Sequence, residues 1–164
     1  MTLGVSAVAL PITLAACTAS SQPSSKSSSS VNIHVSGHVA GDYTKGCAVG
    51  TDTTPNQVTV AFPNVAKVSG SSLTLVIYAP KSSSSTNYSA SSTLAAVRLT
   101  TAKTPTNSWA NNYPGTSGTM TISGGGSSGT IDMTLVPTPL GFSPTNQATG
   151  TVQLQGSWAG CSSA

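Results

Sequence analysis

The chain has 164 residues with six Lys or Arg, three Asp and no Glu, for a formal net charge of +3. Positive charge this sparse and scattered excludes a nucleic-acid footprint, which needs Lys and Arg clustered on one face. The same poverty of titratable groups argues against an enzyme, since acid–base catalysis needs a matched pair within hydrogen-bond reach. No catalytic residue, metal or cofactor is expected.

The first 16 residues are mostly small and apolar (Leu3, Val5, Ala7, Val8, Ala9, Leu10, Ile12, Leu14), with an uncharged start, Met1-Thr2-Leu3, and Pro11 inside the run. A spanning helix needs about 20 apolar residues, so the stretch is too short to cross a bilayer. It has the length of a secretory leader and ends in small residues. The leader closes on Leu14-Ala15-Ala16-Cys17. This run resembles the lipobox of bacterial lipoproteins. The resemblance implies cleavage after Ala16, a diacylglycerol on the Cys17 thiol, and export to the outer side of the cell membrane. Small Ala15 and Ala16 suit a peptidase that must approach the backbone, and only a thiol supplies the thioether. Two acyl chains on one residue anchor stably, each buried CH₂ adding roughly 0.8 kcal/mol.

Residues 18–30 read TASSQPSSKSSSS, with eight serines in thirteen positions. So little apolar surface cannot offset the entropy of ordering, and the segment reads as a flexible tether. Its reach is about 20 Å. The expected layout is a leader over 1–16, a lipidated Cys17 with tether over 17–30, and a folded domain over 31–164.

From Val31 the pattern changes to period two. Val31, Ile33, Val35 and Val39 alternate with Asn32, His34, Ser36 and His38. The same alternation marks Val58–Phe62, Leu73–Ala79, Thr93–Thr100 and Met120–Ile122. It recurs across the glycine-rich turn at Ile131–Leu135, and again over Thr151–Trp158. About seven such segments separated by Gly, Pro, Ser and Asn predict an all-β, antiparallel sandwich, immunoglobulin-like or related. Half-polar alternation indicates sheets with one solvated face. Helix formers are scarce. Assigning Cys17 to lipid leaves Cys47 and Cys161, which are expected to pair as a disulfide, as an exported protein allows. The inward parity of Trp158 suggests that it packs near that bridge.

Four stretches invite chemistry. His34 and His38 form H-x-x-x-H, yet on a strand their side chains would lie roughly 13 Å apart, too far for one ion. Gly125-x-Ser127-x-Gly129 and Gly124-x-Gly126-x-x-Gly129 mimic a nucleophile elbow and a dinucleotide fingerprint, but both need a helix to follow. A hairpin turn is expected instead. Asp42 and Asp52 flank a loop able to offer carbonyl oxygens to calcium, with too few carboxylates for that ion. Asn107 to Pro114 is the one stretch with a binding character. There Trp109, Asn111, Asn112 and Tyr113 could stack on and hydrogen-bond a sugar from a loop. The competing expectation is that Trp109 plugs one end of the core.

Leader, lipobox, tether and a small two-cysteine domain together are similar in layout to the small surface lipoproteins of actinobacteria, such as the mycobacterial LpqH-type antigens. The resemblance implies a monomeric, membrane-anchored protein used in surface interaction or adhesion, with an envelope polysaccharide or protein as partner. Recognition of an envelope polymer through the Trp109–Tyr113 loop is one alternative. Carriage of a lipid or small molecule is the other.

Overall fold

The computed structural model of the chain describes residues 28–51, 56–62, 67–68, 71–101, 107–139 and 148–163. The leader, Cys17, most of the serine tether and Asp52 lie outside the described residues. What is described is all-β, as expected.

The seven expected strands are all present: β1 (Ser30–Gly37), β4 (Gln57–Phe62), β6 (Ser71–Pro80), β8 (Ala96–Thr101), β10 (Ser117–Ser123), β11 (Ser128–Pro137) and β12 (Val152–Ala159). Shorter strands fill the gaps: β2 (Gly41–Tyr43), β3 (Ala48–Thr51), β5 (Lys67–Val68), β7 (Thr86–Ser89), β9 (Ser108–Ala110) and β13 (Ser162–Ser163). They form one continuous curled sheet, in the order β13-β3-β4-β6-β8-β9-β11-β12-β1-β2, with β7, β10 and β5 attached beside that path.

Strand β11 joins the two limbs. Its first part pairs with β10 and β12, while Val136 and Pro137 pair with Ala110 and Trp109 of β9. Pairing is antiparallel except at one place, where β13 runs parallel to β3. That pair departs from the expected all-antiparallel arrangement, and its cause is covalent. The Cys47–Cys161 disulfide, 114 residues apart in sequence, delivers the chain end beside β3, and the Ser162 N–H donates to the Cys47 carbonyl.

Alternation puts one face of each long strand into a common core. Ile33, Val35, Val60, Phe62, Leu75, Ile77, Leu99, Leu135 and Leu154 are wholly buried there. Phe62 bridges the limbs, meeting Tyr43 and Trp158 edge-on with ring centroids 6.2 and 5.5 Å apart, a geometry that aromatic quadrupoles favour. Trp158 belongs to the same apolar cluster as Cys47, and its indole N–H donates to the Gly126 carbonyl. Its strand partner is Gly129, where a β-carbon would collide with the indole ring, so glycine is required for the ring to cross there.

The solvent faces carry many hydroxyls and amides and few charges. One row across the first limb reads Thr119, Asp132, Gln155, His34 and Asp42 from β10 to β2. The edge strands β2, β5, β7 and β13 are two to four residues long. Short edges offer little template for pairing with another chain.

Candidate functional site

Apart from Asp52 and the Leu14–Cys17 run, which lie outside the described residues, each motif singled out from the sequence has a definite place. Gly124–Gly126 forms one 3-10 turn between β10 and β11, with Gly125 in the left-handed region. A strand follows, so neither a serine elbow nor a phosphate cradle exists. His34 and His38 separate at Gly37, whose φ of 102° breaks the strand. His34 stays on the outer face, where its Nδ1 lies 2.6 Å from the Asp42 carboxylate, both side chains largely exposed. Exposed pairs of this kind contribute little to stability. Asp42 therefore belongs to β2 and not to a calcium loop. Among the described residues no group of three His, Cys, Asp or Glu converges on one point.

The stretch expected to bind a sugar as a loop is partly strand, and here the expectation needs correction. Trp109 sits in β9, is 0% exposed, and donates its indole N–H to the Gly150 carbonyl at 3.2 Å. His38 tilts over it with ring centroids 6.0 Å apart. A ring enclosed on all sides cannot stack on a ligand, so Trp109 is a core residue.

Asn111 is also buried, and its amide does the work of a missing strand. Its Oδ1 accepts from the Val97 N–H at 2.7 Å, and its Nδ2 donates to the Ala95 carbonyl at 3.0 Å. The side chain thereby holds Ala95, just ahead of β8, and Val97 at its start, beside the Asn111 N–H that donates to the Val97 carbonyl. Asn111→Ala leaves a buried donor and acceptor unpaired, at roughly 1–3 kcal/mol each. A loss of about 3 kcal/mol is expected in urea unfolding, and a loss below 1 kcal/mol would mean that water replaces the amide.

Beyond Asn111 the chain turns outward. Asn112 adopts φ 63°, a left-handed conformation that asparagine tolerates better than most residues, and its N–H donates to the Ala90 carbonyl at 2.7 Å. Tyr113-Pro114-Gly115-Thr116 closes as a turn, with the Thr116 N–H and hydroxyl both donating to the Tyr113 carbonyl. Pro114 at the second position and Gly115 at φ 95° at the third are the residues a type II turn requires. The loop is thus pinned from several sides.

Against this loop lies a depression of about 270 Å³. Its floor is small and apolar: Ala95, Ala96, Val97 and Ala110. Tyr78, Arg98, Asn112 and Tyr113 form its walls. Strand register brings them together. Tyr78 on β6 pairs with Ala96, and Arg98, two residues along β8, pairs with Ala110. Of the expected contacts, Asn112 and Tyr113 reach this depression directly and Asn111 supports it. Tyr78 and Arg98 are additions. Both sit at outward positions of predicted strands, but nothing local in the sequence says which strands are neighbours.

The disulfide is present as expected, with Cys47 buried in the core cluster. Ser28 and Ser29 lie against Gly160 and Gly46, so the described chain enters β1 next to the bridged cysteines. No helix among the described residues is long and apolar enough to cross a membrane. Comparison with protein families, curated proteins and solved structures finds no match for this chain.

Proposed function

We propose that the chain is a non-catalytic bacterial envelope protein, anchored by lipid on Cys17 and displaying a small two-layered β-domain for surface interaction. The observation that carries this reading is the cysteine pairing. With Cys47 and Cys161 joined, Cys17 is the odd thiol, and it stands where the lipobox-like run needs it. Disulfides persist mainly in oxidising compartments, which agrees with export. The described strands begin at Ser30, directly after the serine-rich run, which agrees with a tether leading into the domain.

The surface fits display better than chemistry. The His34–Asp42 pair on its outer row is open to solvent on both sides.

Intact-mass analysis of the membrane-extracted protein tests the anchor. The mature chain is expected to begin at Cys17 and to carry the mass of a diacylglycerol thioether. Cys17→Ala should shift the protein from the detergent phase to the aqueous phase. A mature chain that begins elsewhere, or carries an unmodified Cys17, would refute the anchor.

A further inference from the structure

We propose that the depression walled by Tyr78, Arg98, Asn112 and Tyr113 binds an acidic sugar, a pyranose ring bearing a carboxylate of the uronic-acid type. The proposal deepens the envelope reading by giving the displayed domain a ligand class.

Arg98 supplies the first reason. It is the only arginine in the sequence, its side chain is exposed, and it forms no ion pair among the described residues. The two described aspartates, Asp42 and Asp132, stand on the outer row of the other limb and not among the residues lining this depression. A guanidinium is a planar fork that matches a carboxylate through two parallel hydrogen bonds. Here it lines the depression together with two tyrosines, and among the described residues no aspartate shares that lining.

The walls and size supply the second reason. Tyr78, Tyr113 and Asn112 all line the depression. Apolar rings with polar edges suit the C–H face and hydroxyl rim of a sugar. At about 270 Å³, the space lies just under the roughly 300–1,000 Å³ typical of drug-sized ligands, so it takes one ring and not an extended peptide.

Rigidity is the third reason. The floor at Ala95–Val97 is held by the Asn111 amide, and the Tyr113 wall by the Pro114–Gly115 turn. A site already in its bound shape loses less freedom on binding.

Titration of the purified mature protein, with its disulfide intact, tests the site by calorimetry and amide chemical shifts. The probes are a glucuronate-containing oligosaccharide, its carboxyl-reduced counterpart and an aspartate-rich peptide. The uronate should bind weakly, with Kd on the order of 0.1–1 mM, and shift resonances of residues 95–98 and 110–113. Carboxyl reduction and Arg98→Gln should each weaken binding by about tenfold or more, with Arg98→Lys in between. Tyr113→Ala should weaken the acidic and reduced sugars alike. Arg98→Gln should keep the wild-type melting temperature, because its side chain is exposed; if it does not, Arg98→Lys carries the test.

No response to uronate up to about 10 mM would overturn the proposal. So would unchanged affinity in both Arg98 variants, or tighter binding of the acidic peptide. Lipidated Cys17 without uronate binding would sink this site alone, while uronate binding with unmodified Cys17 would sink the anchor alone.

Discussion

Trp109→Ala should destabilise the domain by about 3–5 kcal/mol, the usual cost of deleting a fully buried aromatic ring. The indole is 0% exposed and lies in a strand held between Leu99 of β8 and Pro137 of β11. Removing it opens a cavity where the two limbs join and strips the Gly150 carbonyl of its donor. Trp109→Phe fills most of the space and loses that hydrogen bond, so it should cost far less than the alanine. Urea unfolding of the two variants decides the matter. An alanine variant with an unchanged midpoint and abolished sugar binding would restore Trp109 to the role of a recognition residue. Loss of both would say little about recognition, because Ala110 and Asn111 at the depression follow Trp109 directly and move with β9. Arg98 and Tyr113 are therefore the informative positions for function, and Trp109 for the fold.

The long strands were legible because side-chain direction alternates within a few residues of chain. Val58-Thr59-Val60-Ala61-Phe62 declares its inner face with no knowledge of its partners, and the observed burial follows it. Short strands carry no such signal. Ser108-Trp109-Ala110 is buried at all three positions, so no alternation exists to be read. The parallel β13–β3 pair depends on a disulfide between residues 114 apart. At Thr93–Thr100 the period is right but the start is not: the strand begins at Ala96, and Leu94 is 67% exposed in the bend before it.

The candidate site divides in the same way. Asn112 and Tyr113 were visible as loop residues because Pro and Gly follow them. Tyr78 and Arg98 were visible only as outward strand positions, since their meeting depends on the register of β6, β8 and β9. Asn111 is the least legible of all. Replacing a strand partner with a side-chain amide is a tertiary arrangement, and asparagine in a loop is ordinary.

Removing the disulfide should have the other large effect. Cross-linking residues 114 apart restricts the unfolded chain, and the loop-entropy relation puts the gain at about 4–5 kcal/mol. Local structure adds to this. The bridge holds β13 against β3, and the Cys161 N–H donates to the Ser127 carbonyl in the turn before β11. Cys47→Ser with Cys161→Ser, or reduction of the native protein, should therefore lower the urea midpoint sharply. With Cys17 carrying the proposed lipid, the denatured but unreduced protein should show no titratable thiol, and two should emerge after reduction. Two thiols before reduction, or a midpoint indifferent to reductant, would show that the bond does not form or does not matter. Small domains are stable by only about 5–15 kcal/mol in total, so the loss removes a large share of the margin. A domain with so few charges depends on burial and this one covalent clamp, and it should fold poorly wherever thiols are kept reduced. That dependence agrees with the proposed export on grounds independent of Cys17, because disulfides persist mainly in oxidising compartments.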